Sequence, residues 1–348
     1  MKKLALLMVL LVACSKKPDP APTPAAVPTP APTERKIPSP GPANAGKMST
    51  EKFHSDALGV DKNVVVYLPP GYDAGTKHYP VFYYLHGLGD METGWRDGGH
   101  MADTAGNEKI DAIIVMPDGD DSFYVDSDMP IDYDACMKDG TGLIDGSEPK
   151  AQTCVHARKY ETYMTKDLVT WVDGKYRTIA KKEGRAIAGL SMGGYGALML
   201  AMRHPDMFAA AASHSGVDSL IYQGPRPYVA GKEQVMTGDF AAKVGKALGP
   251  IGAWIAGTFG KDDANWLAHD PTTLATKLQP GQLAIYLDCG TEDDFGLDGA
   301  AGYLDHVLTQ QKIEHTLFLG PGKHNFDFWG PRLHESLKFL AAHVTPAS

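Results

Sequence analysis

The stretch that most constrains this chain is residues 185–196, which read Arg-Ala-Ile-Ala-Gly-Leu-Ser-Met-Gly-Gly-Tyr-Gly. Its apolar beginning predicts a buried strand, and its small residues after the serine predict a helix packed closely against that strand. The turn between them has the G-x-S-x-G spacing of a nucleophile elbow, centred on Ser191. The N–H of Met192, at the helix start, is then a candidate oxyanion donor. A glycine-rich packing turn without catalysis has the same spacing, so the rest of the chain must decide.

Apolar runs alternate with helical segments along most of the chain. This alternation predicts a mostly parallel sheet with helices on both faces. The predicted strands are an antiparallel opening pair, 52–58 and 64–68, followed by 80–85, 110–116, 185–190, 208–213, 283–288 and 315–319. One predicted helix ends near 107, and the other predicted helices cover 160–176, 192–204, 297–311 and 328–343.

Polar residues follow several of these predicted strands. In open α/β sheets the functional groups gather at the carboxyl ends of the strands. Serine needs a base to become nucleophilic, and a carboxylate must orient that base. The strand ends supply a serine, then an acid, then a histidine, which is the α/β-hydrolase order. Spacing alone does not separate the two adjacent candidate acids; the groups are His86-Gly87-Leu88-Gly89, Ser191, Asp293 or Asp294, and His324.

The chain resembles the esterase D-like branch of the α/β-hydrolases, which includes S-formylglutathione hydrolases, feruloyl and acetylxylan esterases and mycolyltransferases. The resemblance covers most of residues 50–344. It is carried by Tyr83-Tyr84-Leu85-His86-Gly87, Met116-Pro117-Asp118-Gly119, Phe123-Tyr124-Val125-Asp126-Ser127, Tyr160-Glu161-Thr162-Tyr163, Gly189 to Gly194, Cys289-Gly290-Thr291-Glu292-Asp293 and Gly322-Lys323-His324-Asn325-Phe326.

The resemblance implies an α/β-hydrolase fold with Ser191 as nucleophile and His324 as base. The family pattern of glycine, two residues and aspartate selects Asp293 as the acid, with Asp294 as the reserve. The resemblance also implies an oxyanion hole formed by the backbone N–H groups of Leu88 and Met192.

Candidate cleft residues are aromatic or lie beside the oxyanion segment: His86, Trp95, Phe123, Tyr124 and Tyr195. The resemblance suggests that Phe123 and Tyr124 form one wall. Trp95 is either another wall or a packing residue. We expect His86 to brace the oxyanion loop by hydrogen bonding and not to act as the base. Segments 132–158 and 218–270 depart from the family pattern, and we expect them to form irregular insertions over the active-site edge.

The first residues resemble a targeting signal. Lys2 and Lys3 precede a short apolar run, and Leu11-Val12-Ala13-Cys14 resembles a bacterial lipobox. We therefore predict a signal peptide over 1–14, lipidation of Cys14, a Pro/Ala-rich linker over 15–47 and a catalytic domain over 48–348. The protein would be exported to the cell envelope, at the outer membrane in a Gram-negative host, with a lipid anchor as its only membrane contact. An ordinary signal peptide is the alternative.

The remaining cysteines agree with export. We predict a disulfide between Cys136 and Cys154, because an oxidising compartment favours pairing of the two cysteines that bracket a polar segment. The alternative is two unpaired thiols. Cys289 ends a predicted buried strand and is expected to be a free core thiol.

Charge and composition limit the classes of molecule that this chain is expected to bind. The net charge of −9, without a basic run beyond the first residues, argues against nucleic acid as a partner. The acidic stretch 118–134 lacks the spacing of a calcium-binding EF-hand loop, so we interpret it as a solvated loop, with a Ca²⁺ site as the alternative. The histidines have no zinc-ligand spacing. No metal or cofactor is expected.

The sequence therefore predicts a serine carboxylesterase acting on a small-molecule or carbohydrate ester, with acyl or feruloyl esters of carbohydrates as candidate substrates. Two alternatives stay open. One is an acyltransferase that passes the acyl group to a sugar or lipid. The other is a non-catalytic surface lipoprotein that binds glycan or protein.

Overall fold

The structure is a computed structural model that describes residues 46–144 and 149–348. The predicted signal peptide, the lipidation at Cys14 and all but the last two residues of the predicted linker lie outside the described residues. Among the helices that are described, none combines the length and the apolar character needed to cross a membrane.

A single mixed sheet organises the described residues. It has eight strands in the order β1-β2-β4-β3-β5-β6-β7-β8. Strand β2 runs antiparallel to both β1 and β4, and the other neighbours are parallel. The predicted mostly parallel sheet is confirmed; its strands are β1 Lys47–Ser55, β2 Val60–Leu68, β3 Val81–Leu85, β4 Ile113–Pro117, β5 Arg185–Leu190, β6 Ala210–His214, β7 Ala284–Gly290 and β8 His315–Gly320.

Helices connect the strands. The helix predicted over 160–176 covers 160–175 in the structure and contains a π-helical turn, Tyr163–Leu168, between two α-helical parts. A 3₁₀ turn, Lys182–Gly184, precedes β5. The α-helices of the described residues are α1 Gly94–Asp97, α2 Met101–Asn107, α3 Tyr133–Asp139, α4 Lys150–Thr153, α5 Tyr160–Thr162, α6 Val169–Lys175, α7 Met192–Arg203, α8 Phe240–Phe259, α9 Asp263–His269, α10 Pro271–Ala275, α11 Asp298–Gln311 and α12 Phe326–Ala342.

Both faces of the central strands are buried. In β3, Tyr83 belongs to the apolar cluster that includes α7 and α11, whereas Phe82 and Tyr84 belong to the cluster that includes α2 and α12. Successive strand residues point to opposite faces, so a strand covered on both sides must be apolar throughout. This explains why β3 and β4 are continuous apolar runs.

The parallel register brings four strand ends to one edge. Leu85 pairs with Gly189, Leu190 with His214, and Gly290 with Gly320. The residues that follow β3, β5, β7 and β8 therefore emerge next to one another. The candidate groups of the sequence lie on these segments.

Two insertions lie outside the simple alternation. A disulfide joins Cys136 of α3 to Cys154, directly after α4, with an S–S distance of 2.03 Å. The second insertion contains α8, which kinks at Gly249, where φ is 58°, just before Pro250. The indole N–H of Trp254 donates to the carbonyl of Asp121 at 2.9 Å, so α8 is attached to the segment that follows β4. The buried thiol of Cys289 is free, as predicted.

The disulfide gives a stability prediction. The double variant C136S/C154S should lose about 3 kcal/mol of unfolding free energy, because the bond closes a loop of 18 residues and restricts the unfolded chain. Urea unfolding measures this loss. Reductant should destabilise the wild type by a similar amount and leave the double variant unchanged. Equal urea midpoints for the two proteins in the absence of reductant would contradict the prediction.

Candidate active site

Ser191 occupies a strained corner between β5 and α7. Its backbone has φ 53° and ψ −118°, a conformation that costs a non-glycine residue about 1–3 kcal/mol. Two hydrogen bonds hold the corner: the Ser191 N–H donates to the carbonyl of His214 at 2.9 Å, and the Tyr195 N–H donates to the carbonyl of Ser191 at 3.0 Å. The corner turns the serine side chain out of the sheet.

Both glycines of the elbow are required by close backbone contact. A Cβ at Gly189 would lie 2.2 Å from the carbonyl oxygen of Gly193. A Cβ at Gly193 would lie 2.4 Å from the carbonyl oxygen of Leu85, at the end of β3. These distances are shorter than any van der Waals contact, and the obstacles are backbone atoms that cannot rotate away. The spacing in the sequence therefore reflects steric need.

The structure brings Ser191, His324 and Asp293 into one hydrogen-bonded chain. His324 Nε2 lies 2.9 Å from Ser191 Oγ, and His324 Nδ1 lies 2.6 Å from Asp293 Oδ2. This arrangement lets an imidazole accept a serine proton while a carboxylate orients its other nitrogen. The three residues follow β5, β8 and β7.

The structure places Asp293, and not Asp294, against the histidine. Asp293 is buried, whereas Asp294 is exposed. Asp293 Oδ1 also accepts the backbone N–H of Phe295 at 2.9 Å. Burial by itself would raise the pKa of the Asp293 carboxyl, but the hydrogen bonds from His324 and the Phe295 N–H lower the pKa below its ordinary value. The carboxylate is thus kept ionised beside the imidazole.

The predicted oxyanion donors lie beside Ser191. Met192 begins α7, so its N–H belongs to the first turn, where backbone donors have no partner within the helix. Leu88 follows Gly87, and a Cβ on Gly87 would lie 3.3 Å from the Cβ of Ser191. The N–H of Gly89 donates to Asp121 Oδ1 at 2.7 Å, which fixes the segment that carries Leu88.

His86 supports this segment from behind. Its Nε2 accepts the Gly119 N–H at 2.8 Å, so its Nδ1 carries the proton and donates to the carbonyl of Gly87 at 2.9 Å. The Tyr124 hydroxyl donates to the His86 carbonyl at 3.0 Å. These are the bracing contacts expected of a histidine that is not the base.

The prediction that four side chains line the cleft is wrong. Each is at most 1% exposed, and each faces protein and not solvent. The indole N–H of Trp95 donates to the Leu85 carbonyl at 2.9 Å, and the Tyr195 hydroxyl donates to the His269 carbonyl at 3.0 Å. Their polar tips satisfy buried backbone groups and thereby support the sheet edge. The residues concerned are His86, Trp95, Tyr124 and Tyr195. Phe123, at 4% exposed, is buried as well.

The acidic stretch after β4 begins with a buried ion pair and is not solvated there. Lys62 Nζ, on β2, lies 2.7 Å from Asp118 Oδ2 and 2.8 Å from Asp120 Oδ1. Burial would raise the pKa of Asp118, but the Lys62 ammonium lowers it. Because two carboxyls share one ammonium, burial and the charge of Asp118 together raise the pKa of Asp120 to about 7. The pair anchors the segment that carries Tyr124. Within the two described ranges, no cluster of three or more His, Cys, Asp or Glu side chains is suited to a metal ion.

A second serine–histidine–aspartate chain lies inside the core. Ser336 Oγ is 2.8 Å from His214 Nε2, and His214 Nδ1 is 2.9 Å from Asp288 Oδ2. All three residues are fully buried, and Ser336 Oγ also contacts the Tyr84 hydroxyl at 3.0 Å. No substrate reaches this serine. The chain of bonds instead ties α12 to β6, β7 and β3.

Sequence reasoning missed three residues around His324. The rings of Phe295 and Trp329 meet its imidazole at centroid distances of 4.7 and 4.8 Å. Arg226 Nη2 donates to the Asp293 carbonyl at 3.2 Å. The position of Phe295, two residues after the acid, was an available signal. Arg226 lies in the unrecognised segment 218–270, where no motif indicated it.

The chain is similar to several known proteins. A family model described as "Putative esterase" matches residues 55–340. The chain is 35% identical to Esterase Rv1288 of Mycobacterium tuberculosis over 170 residues, 49% of this chain and 32% of that protein. It is 29% identical to the diacylglycerol acyltransferase/mycolyltransferase Ag85B of Mycobacterium leprae over 241 residues, 64% of this chain and 63% of that protein. The chain thus spans about a third of the length of the first of these curated relatives and just under two thirds of the length of the second.

Two solved structures share the fold. A ferulic acid esterase superposes with a TM-score of 0.57 at 24% identity, covering 86% of this chain and 99% of that one. An S-formylglutathione hydrolase from Agrobacterium tumefaciens superposes with a TM-score of 0.62 at 20% identity, covering 88% of this chain and 99% of that one.

The two adjacent aspartates offer a matched test. Asp293→Asn should slow the labelling of Ser191 by a fluorophosphonate about a thousandfold or more, because the imidazole loses the carboxylate that fixes its tautomer. Asp294→Asn should stay within about twofold of wild type, because its side chain is exposed. Labelling rates followed by intact-protein mass measure both. A slow Asp294→Asn variant beside a fast Asp293→Asn variant would reverse the assignment.

Proposed function

The chain belongs to the esterase family whose model spans most of its length, and on that premise we propose that it is a serine carboxylesterase with Ser191 as nucleophile. The supporting observation is the hydrogen-bonded chain from Ser191 through His324 to Asp293, at 2.9 and 2.6 Å, on a strained and partly exposed corner. The buried chain at Ser336 has similar distances but lacks the exposure.

Acylation would proceed from this geometry. Ser191 Oγ attacks the ester carbonyl carbon while His324 Nε2 takes the hydroxyl proton. Asp293 stabilises the imidazolium that forms, and the N–H groups of Leu88 and Met192 donate to the tetrahedral oxyanion. The intermediate collapses when His324 gives its proton to the ester oxygen, so the alcohol leaves and Ser191 holds the acyl group.

Deacylation would repeat the steps with water. His324 takes a proton from water, the hydroxide attacks the acyl carbonyl, and the same two N–H groups hold the oxyanion. Collapse returns the proton to Ser191 and releases the acid. Besides the ester and water, these steps use side-chain and backbone groups of this chain. We propose small carboxylic esters as substrates, including acyl esters of carbohydrates; a solved ferulic acid esterase shares the fold.

The function is tested at the serine. Ser191→Ala should abolish hydrolysis of short p-nitrophenyl esters and fluorophosphonate labelling, because the attacking oxygen is gone. Ser336→Ala is the matched control: it removes the serine of the buried chain and should keep both activities in whatever fraction of the protein stays folded. Initial rates and circular dichroism measure activity and folding. Full activity in Ser191→Ala would overturn the proposal, and a native protein that no fluorophosphonate labels would favour a non-catalytic binding role.

Acyl transfer is a second candidate, because the relative from Mycobacterium leprae is named as an acyltransferase. Both reactions share the acyl-enzyme and differ in the acceptor that attacks it. Product analysis with a sugar or glyceride present separates them. More free acid than new ester supports hydrolysis, and the reverse supports transfer.

We also propose that the protein works outside the cytoplasm, anchored through Cys14. The disulfide between Cys136 and Cys154 supports this, since such bonds persist in oxidising compartments. In a bacterial host, the wild type should sediment with membranes and Cys14→Ala should not, because the substitution removes the lipidated thiol. Immunoblots of the fractions measure the difference. Equal membrane association of both proteins would refute the anchor.

A further inference from the structure

We propose that Phe295 forms the alcohol-side wall of the site and selects esters whose leaving alcohol is apolar and bulky, benzyl alcohol over methanol. This inference rests on the proposed esterase function. It concerns the portion of the substrate that departs in the first step and leaves the choice of acyl group open.

Exposure sets Phe295 apart from the buried aromatics of the site. Its side chain is 60% exposed, the largest value among the exposed large apolar side chains of the described residues. Nevertheless its ring meets the His324 imidazole edge to face, with centroids 4.7 Å apart and planes at 79°. The rest of the ring is exposed to solvent. A ligand that covered it would gain the free energy of apolar burial.

The second ring at His324 has the opposite character. Trp329 contacts the imidazole at 4.8 Å and 86°, but only 6% of it is exposed. Trp329 therefore belongs to the core that holds the histidine. Of the two rings, Phe295 is the one that contacts the imidazole and is also exposed to solvent.

The reaction path decides which half of the ester meets this surface. His324 Nε2 must hand its proton to the ester oxygen that departs with the alcohol. The alcohol therefore leaves past the imidazole, whereas the carbonyl oxygen is drawn toward the N–H groups of Leu88 and Met192. A side chain that packs on the imidazole and faces solvent borders the alcohol portion.

The loop that carries Phe295 is fixed in place. Its N–H donates to Asp293 Oδ1 at 2.9 Å. Arg226 clamps both ends of the loop: Nη2 donates to the Asp293 carbonyl at 3.2 Å, and Nε donates to Asp298 Oδ1 at 2.9 Å. A fixed wall binds a ligand without the entropy cost of ordering a mobile loop. Substitution by alanine removes the ring and keeps the backbone bond to the acid.

The test compares Phe295→Ala with wild type on methyl and benzyl butyrate. The ratio of kcat/KM between variant and wild type is taken for each ester, so that intrinsic reactivity cancels. We expect about a tenfold loss for benzyl butyrate and less than about a twofold change for methyl butyrate. Where deacylation limits turnover, the variant should keep the kcat of the wild type, because the alcohol has left before the acyl-enzyme is hydrolysed.

Two further measurements separate the possible failures. Phe318→Ala is the matched control, since Phe318 is 38% exposed and packs against Arg332 at 3.9 Å; it should behave as wild type on both esters. The fluorophosphonate labelling rate of Phe295→Ala should match wild type, because that reaction expels fluoride and not an alcohol.

Equal losses on both esters, or no loss on either, would overturn the role of Phe295 while leaving the esterase function standing. Slowed labelling would show that the ring positions His324 and does not select the alcohol, which also overturns it. If the fluorophosphonate labels the wild type but the wild type cleaves neither ester, the role of Phe295 is refuted and Ser191 remains the nucleophile. If the wild type is not labelled and cleaves neither ester, the proposed function itself is refuted.

Discussion

The site depends on how closely the backbones of β5, α7 and β3 approach one another at the serine corner. Because no Cβ fits at Gly189 or Gly193, the helix begins directly against two strand ends. That contact forces Ser191 to a φ of 53° and sets the N–H of Met192 beside the hydroxyl. The loops after β7 and β8 then need only modest length to bring Asp293 and His324 to the same point.

Hydrogen-bond geometry by itself does not identify a nucleophile in this protein. Ser191 and Ser336 each lie within 3 Å of a histidine Nε2 whose Nδ1 meets an aspartate. What separates them is the surroundings. Ser191 stands at a partly exposed corner beside a helix N-terminus, whereas Ser336 lies on the buried face of α12 and shares its oxygen with Tyr84. The first arrangement suits catalysis, and the second suits structure.

The sheet and the grouping of Ser191, Asp293 and His324 could be predicted from the sequence, because both follow from local patterns. Continuous apolar runs identify buried parallel strands, and parallel strands place their carboxyl ends at one edge. The cleft was predicted less well. Trp95 and Tyr195 carry polar tips that find buried carbonyls, and such partners depend on packing between distant segments. The ion pair between Lys62 and Asp118 was not predicted for the same reason, because more than fifty residues of chain separate them. The contact of Arg226 with the loop that carries Asp293 was not predicted because its segment has no recognisable motif.

Helix α12 connects the histidine of the candidate site to the core. It begins two residues after His324, packs Trp329 against the imidazole, and is tied to the core in its second half by the bond between Ser336 and His214. The position of this helix therefore sets where His324 lies. Any shift of that helix would displace the imidazole even while the sheet and the serine corner stay intact.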